Sequence, residues 1–561
     1  MRPLDWIVLA VTLASIVLYG LYKGRGSKTV SQYLLAGKTM PWYAMGLSIM
    51  ATQASAITFI STTGQSYVDG MRFVQFYFGL PVAMVILSAT AVPIFHRANV
   101  YTAYEYLEKR FDPKTRALAS AVFLIQRGLA AGLALAAPAI VLSVILGWPD
   151  RLTIVMMGAL VIGYTVMGGI KAITWTDVQQ MLIIFCGLAA SLVMAIRLLP
   201  RGVSFVDAVY LAGAVGKLNA VDLHLDWNNR YNLWSGLVGG AFLALSYFGC
   251  DQSQVQRYLT GKSIAQSKLS LLFNAMAKIP MQFFILFVGA MVFVFYLFER
   301  PPVLFDQTAL AKPEVAARIA PVERDFTVAF EERREAGWRL IEARRNHDGA
   351  ARAGTLARYR RAQRALDAAR QRGARLVEQT TGQTVNDTNY IFLSFVTRYL
   401  PAGLVGLVIA VIFAAAMASI SGEINSLATV TIVDIYRRHV HKAASDRHYL
   451  LASRLATAFW AIYAVAFANY GKTIGSLIEA VNMLGSLFYG TLLGVFALAF
   501  LVPRVRGNGA FYGMLAGEAA ILAAFKFTGI SFLWYNVIGC LVVVATGLLI
   551  SVFENRREVV R

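Results

Sequence analysis

Thirteen apolar runs, each near the length needed to cross a bilayer, follow one another along this 561-residue chain. They cover roughly residues 4–22, 42–64, 73–95, 117–147, 152–170, 175–197, 232–249, 270–298, 402–433, 449–470, 474–502, 510–528 and 532–553. A span needs about 20 mostly apolar residues. Inside hydrocarbon every backbone N–H and C=O must find its partner within the protein, so runs of this length form helices. The expected fold class is an all-α polytopic membrane protein with about 13 transmembrane helices. Composition agrees. Apolar residues make up 57% of the chain and charged ones 15%, against about 25% charge in soluble domains, and the mean hydropathy is +0.57. These values point away from a soluble enzyme, a nucleic-acid binder and a disordered scaffold. The formal net charge of +21 then marks cytoplasmic loops, and no nucleic-acid partner is expected. Cys186, Cys250 and Cys540 all lie inside apolar runs and are odd in number, so they read as free thiols rather than a disulfide framework.

The loops carry an orientation. The first run is not read as a cleaved signal, because no small-x-small cleavage site follows it and Lys23, Arg25 and Lys28 do. It reads as an anchor with its N-terminus outside. On that topology the inner loops hold about 23 Lys and Arg and the short outer loops about 8, the asymmetry of the positive-inside rule. The C-terminus is cytoplasmic, and the expected location is a bacterial-type inner (plasma) membrane. Residues 299–388 interrupt the pattern with 17 basic and 13 acidic residues. Asp325 to Arg345 and Thr355 to Glu378 read as two charged helices broken at Asn346–Gly349, an insert outside the membrane that either caps the membrane bundle as a solvated hairpin or docks a partner. Loops longer than about 60 residues translocate largely regardless of charge.

No energy-transducing site other than an ion gradient is legible. Gly37–Lys38–Thr39, Gly261–Lys262–Ser263 and Gly471–Lys472–Thr473 resemble the end of a phosphate-binding loop, but the position that needs a second glycine holds Gln32, Gln256 and Ala466. The close histidines, His439 and His441, sit in a basic inner loop, and no repeated carbonyl-donating filter of a channel is present. No His, Ser or metal constellation suggests an enzyme, and no cofactor is expected.

Two apolar runs are built to break. Ser48 to Gly64 is packed with Ser, Thr and Gln, whose side chains replace intrahelical bonds and make local unwinding cheap. Gly236 to Gln252, with Gly239, Gly240, Gly249 and Asp251, is a weaker counterpart five spans later. Five is odd, so the two segments enter the membrane from opposite sides, as an inverted repeat requires. Ala414 to Ser426 in the ninth run combines small residues, which allow close helix approach, with hydroxyls and the carboxylate of Glu423. An intramembrane carboxylate is a functional-site hypothesis by default.

Ala51 to Gly64, Trp175 to Gln180, Asp251 to Leu259 and Ile424 to Tyr436 together resemble the sodium–solute symporter family, which includes sodium/glucose, sodium/proline, sodium/iodide and monocarboxylate transporters. The resemblance covers nearly the whole chain outside 299–388. It implies a five-plus-five inverted repeat of the leucine-transporter type: 1–40 as an extra N-terminal span and inner loop, 41–198 as the first repeat, 199–298 and 389–502 as the second, and 503–561 as two further spans and a short cytoplasmic tail. It also implies a sodium site formed by carbonyls of Ala51, Ala54 and Ala415 and two hydroxyl positions. Those two positions read Ala418 and Ser419 here, where the family carries Ser or Thr at both. Some members have a second sodium site, whose aspartate matches Asp177 and whose hydroxyls match Ser421 and Gly422. Glu423, one residue on, could supply the oxygen the glycine lacks, although Ser421 and Glu423 diverge by roughly 200° on an ideal helix, so a joint site needs distortion at Gly422.

The resemblance also places a solute beside the first break. Gln53, Ser55 and Thr58 belong to that stretch. Tyr247, Lys278 and Asn482 match the gating Tyr, the Lys and the Gln of the sugar site, but Ile57-Thr58 and Ala244 depart from the sugar pattern. Arg127 in the fourth run adds a second buried cation. Arg127 and Lys278 could read a carboxylate, with Arg suited to bidentate contact, or pair with Glu423 or Asp251. The expected function is sodium-coupled symport of a small organic solute by alternating access. The solute is an organic acid, amino acid or sugar, with an organic acid favoured. Proton coupling through Glu423 and a transporter-like sensor without transport are the alternatives.

Overall fold

A computed structural model describes residues 1–25, 28–310, 312–382, 385, 387–469 and 477–559. The third GK[ST] fragment and the start of the eleventh apolar run lie outside them. Among the described residues the chain is all helical, with no β-strand and a single isolated bridge between Met40 and Gly261. Among the described residues ten helices are long and apolar enough to cross a membrane. Arg151–Arg197, 47 residues, would reach roughly 70 Å at 1.5 Å per residue, about twice a hydrocarbon core. It is interrupted at Gly169, whose φ of +58° suits glycine. A Cβ there would stand 2.6 Å from the Tyr33 carbonyl oxygen.

Helix ends are set by ordinary caps. Asp112 accepts the N–H of Thr115 at 2.8 Å and Pro113 follows it, which starts the helix Pro113–Leu146 with a satisfied donor and a preset φ. Ser263 caps Ile264–Phe298 in the same way. The helix Leu404–Val430 is the centre of the bundle, buried over nearly its whole length. Its first half is apolar all round, as suits a helix with no exposed face, and its second half buries Ser419, Ser421, Glu423, Asn425 and Ser426. Its N-terminal end is held by Asp5 of Pro3–Gly24, whose carboxylate accepts the N–H groups of Gly403 at 2.6 Å and Gly406 at 3.2 Å. Those are orphan donors at a positive dipole end. Pro3–Gly24 otherwise stays peripheral, with Leu4, Ile7, Val11 and Leu18 exposed.

Two helical stretches are interrupted. Trp42–Gln53 ends and Ala56–Asp69 begins across Ala54 (φ −89°, ψ 67°) and extended Ser55 (ψ 169°). Ser235–Gly249 gives way to Gln252–Leu259 across Cys250 and Asp251, and the Asp251 side chain caps the second piece through the N–H of Ser253 at 2.8 Å.

Between the bundle helices Ile264–Phe298 and Leu404–Val430, the charged segment folds into two long helices, Pro313–Arg345 and Gly349–Thr381. They pack on one another around Phe326, Phe330, Leu366 and Val377. The hairpin is fastened to the bundle by Arg344 and Arg345, which reach both oxygens of Asp207 in Phe205–Ala214 at 3.0 and 2.7 Å. Burial alone would raise the Asp207 carboxyl. The hydrogen bonds from Ser204 and Arg345 outweigh it and hold the group at about 2.

Candidate functional site

The break between Trp42–Gln53 and Ala56–Asp69 opens onto a narrow cavity of about 90 Å³. The last four carbonyls of a helix have no intrahelical partner, and the extended Ser55 prevents Ala56–Asp69 from supplying one in register. The cavity brings together six residues singled out from the sequence for solute contact: Gln53, Ser55, Thr58, Arg127, Tyr247 and Asn482. Ser419 and Glu423 also line it. Lys278 does not. Its Nζ is buried 5.5 Å from the centre of the Tyr77 ring and has no hydrogen-bond partner among the described residues. Tyr77 itself lines the cavity.

Charge in the cavity is organised around Arg127, on the long helix Pro113–Leu146. Its Nη1 donates to Glu423 Oε1 at 2.9 Å, and its Nη2 donates to Asp251 and to the Tyr489 hydroxyl. Tyr489 in turn donates to Asp251 at 3.0 Å, and the guanidinium lies 5.4 Å from the centre of the Tyr247 ring. One cation thus serves two carboxylates, one from Leu404–Val430 and one from the cap of Gln252–Leu259. Arg127 Nε and Glu423 Oε2 are buried without partners among the described residues, and so are Oε1 of Gln53 and Gln126, which line the same cavity.

The residues expected to hold sodium meet. Ala51, Ala54, Ala415 and Ala418 pack in one buried cluster with Met50, Val411 and Met281. Ser419 follows on the same helix, its hydroxyl donating to the carbonyls of Ala415 at 3.1 Å and Ala416 at 3.2 Å. Asp177, Ser421 and Glu423, by contrast, do not form one ligand set. Asp177 accepts from Ser48 at 2.5 Å and lies 3.7 Å from Arg257 Nη2. Ser421 donates to the carbonyl of Ala418 at 3.2 Å, and Glu423 turns to Arg127. The helix continues unbroken through Gly422, so the roughly 200° divergence of residues 421 and 423 stands uncorrected. Gly422 serves a close approach instead: a Cβ there would lie 2.1 Å from Arg257 Nη2. Among the described residues no cluster of three His, Cys, Asp or Glu could hold a metal. Sequence reasoning missed Tyr489, Gln126, Ser48 and Arg257. Tyr489 and Gln126 are polar tips inside long apolar runs, the one signal that could have raised them.

A model of the sodium:solute symporter family matches residues 33–317 and 365–517. The chain belongs to the sodium:solute symporter family. The symporter is 26% identical to human sodium-coupled monocarboxylate transporter 1 over 521 residues, 92% of this chain and 72% of that one. It is 27% identical to the sodium/sialic acid symporter NanT of Aliivibrio fischeri over 561 residues, 98% and 94% of the two chains. Its fold resembles the solved substrate-bound, outward-open structure of a Na+-coupled sialic acid symporter, with a TM-score of 0.76 and 25% identity over 98% of both chains. It is a multi-pass membrane protein and a sodium-coupled solute symporter.

Proposed function

We propose that the symporter carries a small organic acid that also bears a hydroxyl or amino group near its carboxylate. The observation behind this is the set of unpaired atoms around the cavity: one cationic donor, Arg127 Nε, and three acceptors, Glu423 Oε2, Gln53 Oε1 and Gln126 Oε1. Unpaired buried polar atoms cost roughly 1–3 kcal/mol each, which a ligand of matching pattern recovers. A carboxylate suits the Arg127 donor, and a hydroxyl or ammonium suits the acceptors. The relatives named for monocarboxylates and sialic acid move acids.

Sodium travels with the solute. The carbonyls of Ala51, Ala54 and Ala415 and the hydroxyl of Ser419 are its ligands in this reading, and Ala418 contributes only a methyl. The ion sits beside the break, where its charge offsets the negative balance of Arg127, Glu423 and Asp251. Sodium and solute therefore favour each other's binding, and that coupling is reciprocal. Tyr247 closes one side of the cavity. Its hydroxyl already accepts from Gln254 at 2.7 Å in the second broken crossing, so movement of that crossing carries the gate.

Thirteen crossings follow if three features are each counted as separate spans: the halves of Ala56–Ala98, those of Arg151–Arg197, and the short apolar helix Ser235–Gly249. The two discontinuous crossings then fall five spans apart in opposite senses, the arrangement of two inverted repeats. The loop charges set the N-terminus and residues 299–388 outside and the C-terminus in the cytoplasm of a bacterial-type plasma membrane.

Uptake by proteoliposomes of a panel of labelled compounds tests the reading. Hydroxy- or amino-substituted carboxylates should accumulate when a sodium gradient is imposed and not when potassium replaces it. Sodium-driven uptake of neutral sugars with no uptake of acids would overturn the substrate assignment.

A further inference from the structure

A second and larger cavity, about 490 Å³, lies between the charged hairpin and the bundle. This is within the size range of small-molecule sites. Its floor is Tyr67 of Ala56–Asp69, Phe293 of Ile264–Phe298 and Lys217, and its roof is Arg333, Tyr359 and Arg370 of the hairpin. Three cations and two carboxylates, Asp367 and Asp387, border it. They are not paired off evenly. Arg370 and Asp387 neutralise each other at 2.5 Å, and Asp387 also accepts the N–H groups of Phe305 and Asp306. Asp367 accepts from Gln363 at 2.8 Å.

Arg333 and Lys217 are left on neutral acceptors. Arg333 is 1% exposed, and its Nη2 donates to the Tyr296 carbonyl at 2.6 Å and its Nη1 to Gln363 at 3.1 Å. Its Nε has no hydrogen-bond partner among the described residues. Lys217 Nζ donates to the carbonyls of Tyr67 and Val68 and lies 4.6 Å from the centre of the Phe293 ring. Burial lowers its ammonium to about 8 against the pull of Asp69 and Asp367, which leaves it charged at neutral pH. Among the described residues Asp367 is the one lining carboxylate outside the Arg370–Asp387 pair and it stands against two cations, so the lining keeps a net positive charge; burying a guanidinium with no carboxylate within ion-pair distance is expensive. A cavity beside it, with a free N–H and aromatic walls, is where a counter-charge can come from solution.

We propose that this cavity binds a small organic carboxylate, held by Arg333 and Lys217 with its carbon body against Tyr67, Phe293 and Tyr359. It is a site separate from the one at the broken helix. The residues matched by the family model leave out 318–364, so Arg333 and Tyr359 come from a stretch outside that match. The bound acid is either the transported solute, captured above the membrane before it enters, or a different acid that steadies the hairpin on the bundle. The chemistry recognised is the same. This inference does not depend on which solute occupies the central cavity.

Hydrogen–deuterium exchange on the purified full-length symporter tests it, with lactate and benzoate as probes and lactamide and benzamide as neutral counterparts. The carboxylates should slow exchange in peptides covering 326–336 and 356–370 and in the loop at 215–219, without sodium, and the amides should not. Arg333→Gln should weaken that protection by about tenfold, the loss of one charge-assisted hydrogen bond, and Arg333→Lys by less. If exchange throughout the hairpin shows that Arg333→Gln unfolds it, Lys217→Gln, on the bundle side, should give the same weakening. Whichever acid proteoliposome uptake identifies as the solute is then added: protection by it indicates capture of the solute, and protection by the probes alone indicates a separate acid. No protection by any carboxylate, undiminished protection in folded Arg333→Gln, or equal protection by chloride would overturn the site, whatever the uptake measurements give for the central cavity.

Discussion

Removing the charge of Glu423 and removing that of Arg127 should have very different costs, although the two side chains are partners. Arg127 is the only cation bonded to either carboxylate, Glu423 or Asp251, among the described residues. Arg127→Gln leaves two buried carboxylates without it, and breaking a buried pair by deleting one member costs about 3–5 kcal/mol. Asp251 keeps Tyr489 at 3.0 Å and the N–H of Ser253 at 2.8 Å. Glu423 keeps no donor on its side chain, so most of the penalty falls there. Glu423→Gln is milder, because Gln still accepts from Nη1 and Asp251 still neutralises the guanidinium. The loss is the difference between a charged and a neutral hydrogen bond, about 1 kcal/mol. The double variant Arg127→Gln/Glu423→Gln should therefore recover part of the stability lost in Arg127→Gln, since the carboxylate left without a donor is gone. Thermal unfolding in detergent, read with and without sodium, orders the three proteins. Glu423→Gln as unstable as Arg127→Gln, or a double variant no better than Arg127→Gln, would refute the assignment of Glu423 as the carboxylate that depends on Arg127.

Ser419→Ala should raise the sodium concentration for half-maximal uptake strongly, whereas Ala418→Ser should lower it or leave it alone; unchanged sodium dependence in Ser419→Ala would remove that hydroxyl from the site. A single Cys introduced at Gly349 should react with an impermeant thiol reagent from outside, and one at Ala443 only after permeabilisation; the reverse pattern would invert the topology. The Asp207 carboxyl is held at about 2, below its usual 3.8, so its contribution to docking the hairpin is fully present above pH 4 and is lost as pH falls toward 2. Protease sensitivity of the hairpin should thus be flat from pH 5 to 8, and Asp207→Asn should loosen it at neutral pH; loosening between pH 5 and 8 would assign the docking to other groups.

The break at Ala54 and Ser55 could be read in the chain because it is written locally: hydroxyls and amides crowd a stretch that must cross hydrocarbon, and their bonding to the backbone competes with the helix. The second break is written more weakly, in Gly239, Gly240, Gly249 and Asp251, and its Asp251 cap emerges only in the structure. Partner choice could not be read. Arg127 lies 124, 296 and 362 residues from Asp251, Glu423 and Tyr489, and nothing local to any of them favours one pairing over another. Glu423 and Asp251 stood as alternative partners for Arg127 in sequence, and the structure gives it both at once. The fate of Glu423 turns on a smaller point of geometry. Joining it to Ser421 and Asp177 required the helix to bend at Gly422. The glycine is needed, but for room rather than flexibility: Arg257 presses its guanidinium against the missing side chain and stands beside Asp177, where its Nε also donates to Ser48 at 3.0 Å. With a fixed positive group already next to Asp177 and the helix continuous through Gly422, Glu423 turns instead to the cavity at the first break. A glycine next to a functional carboxylate can thus signal a neighbour's side chain coming close as readily as a kink, and only the position of that neighbour decides between them.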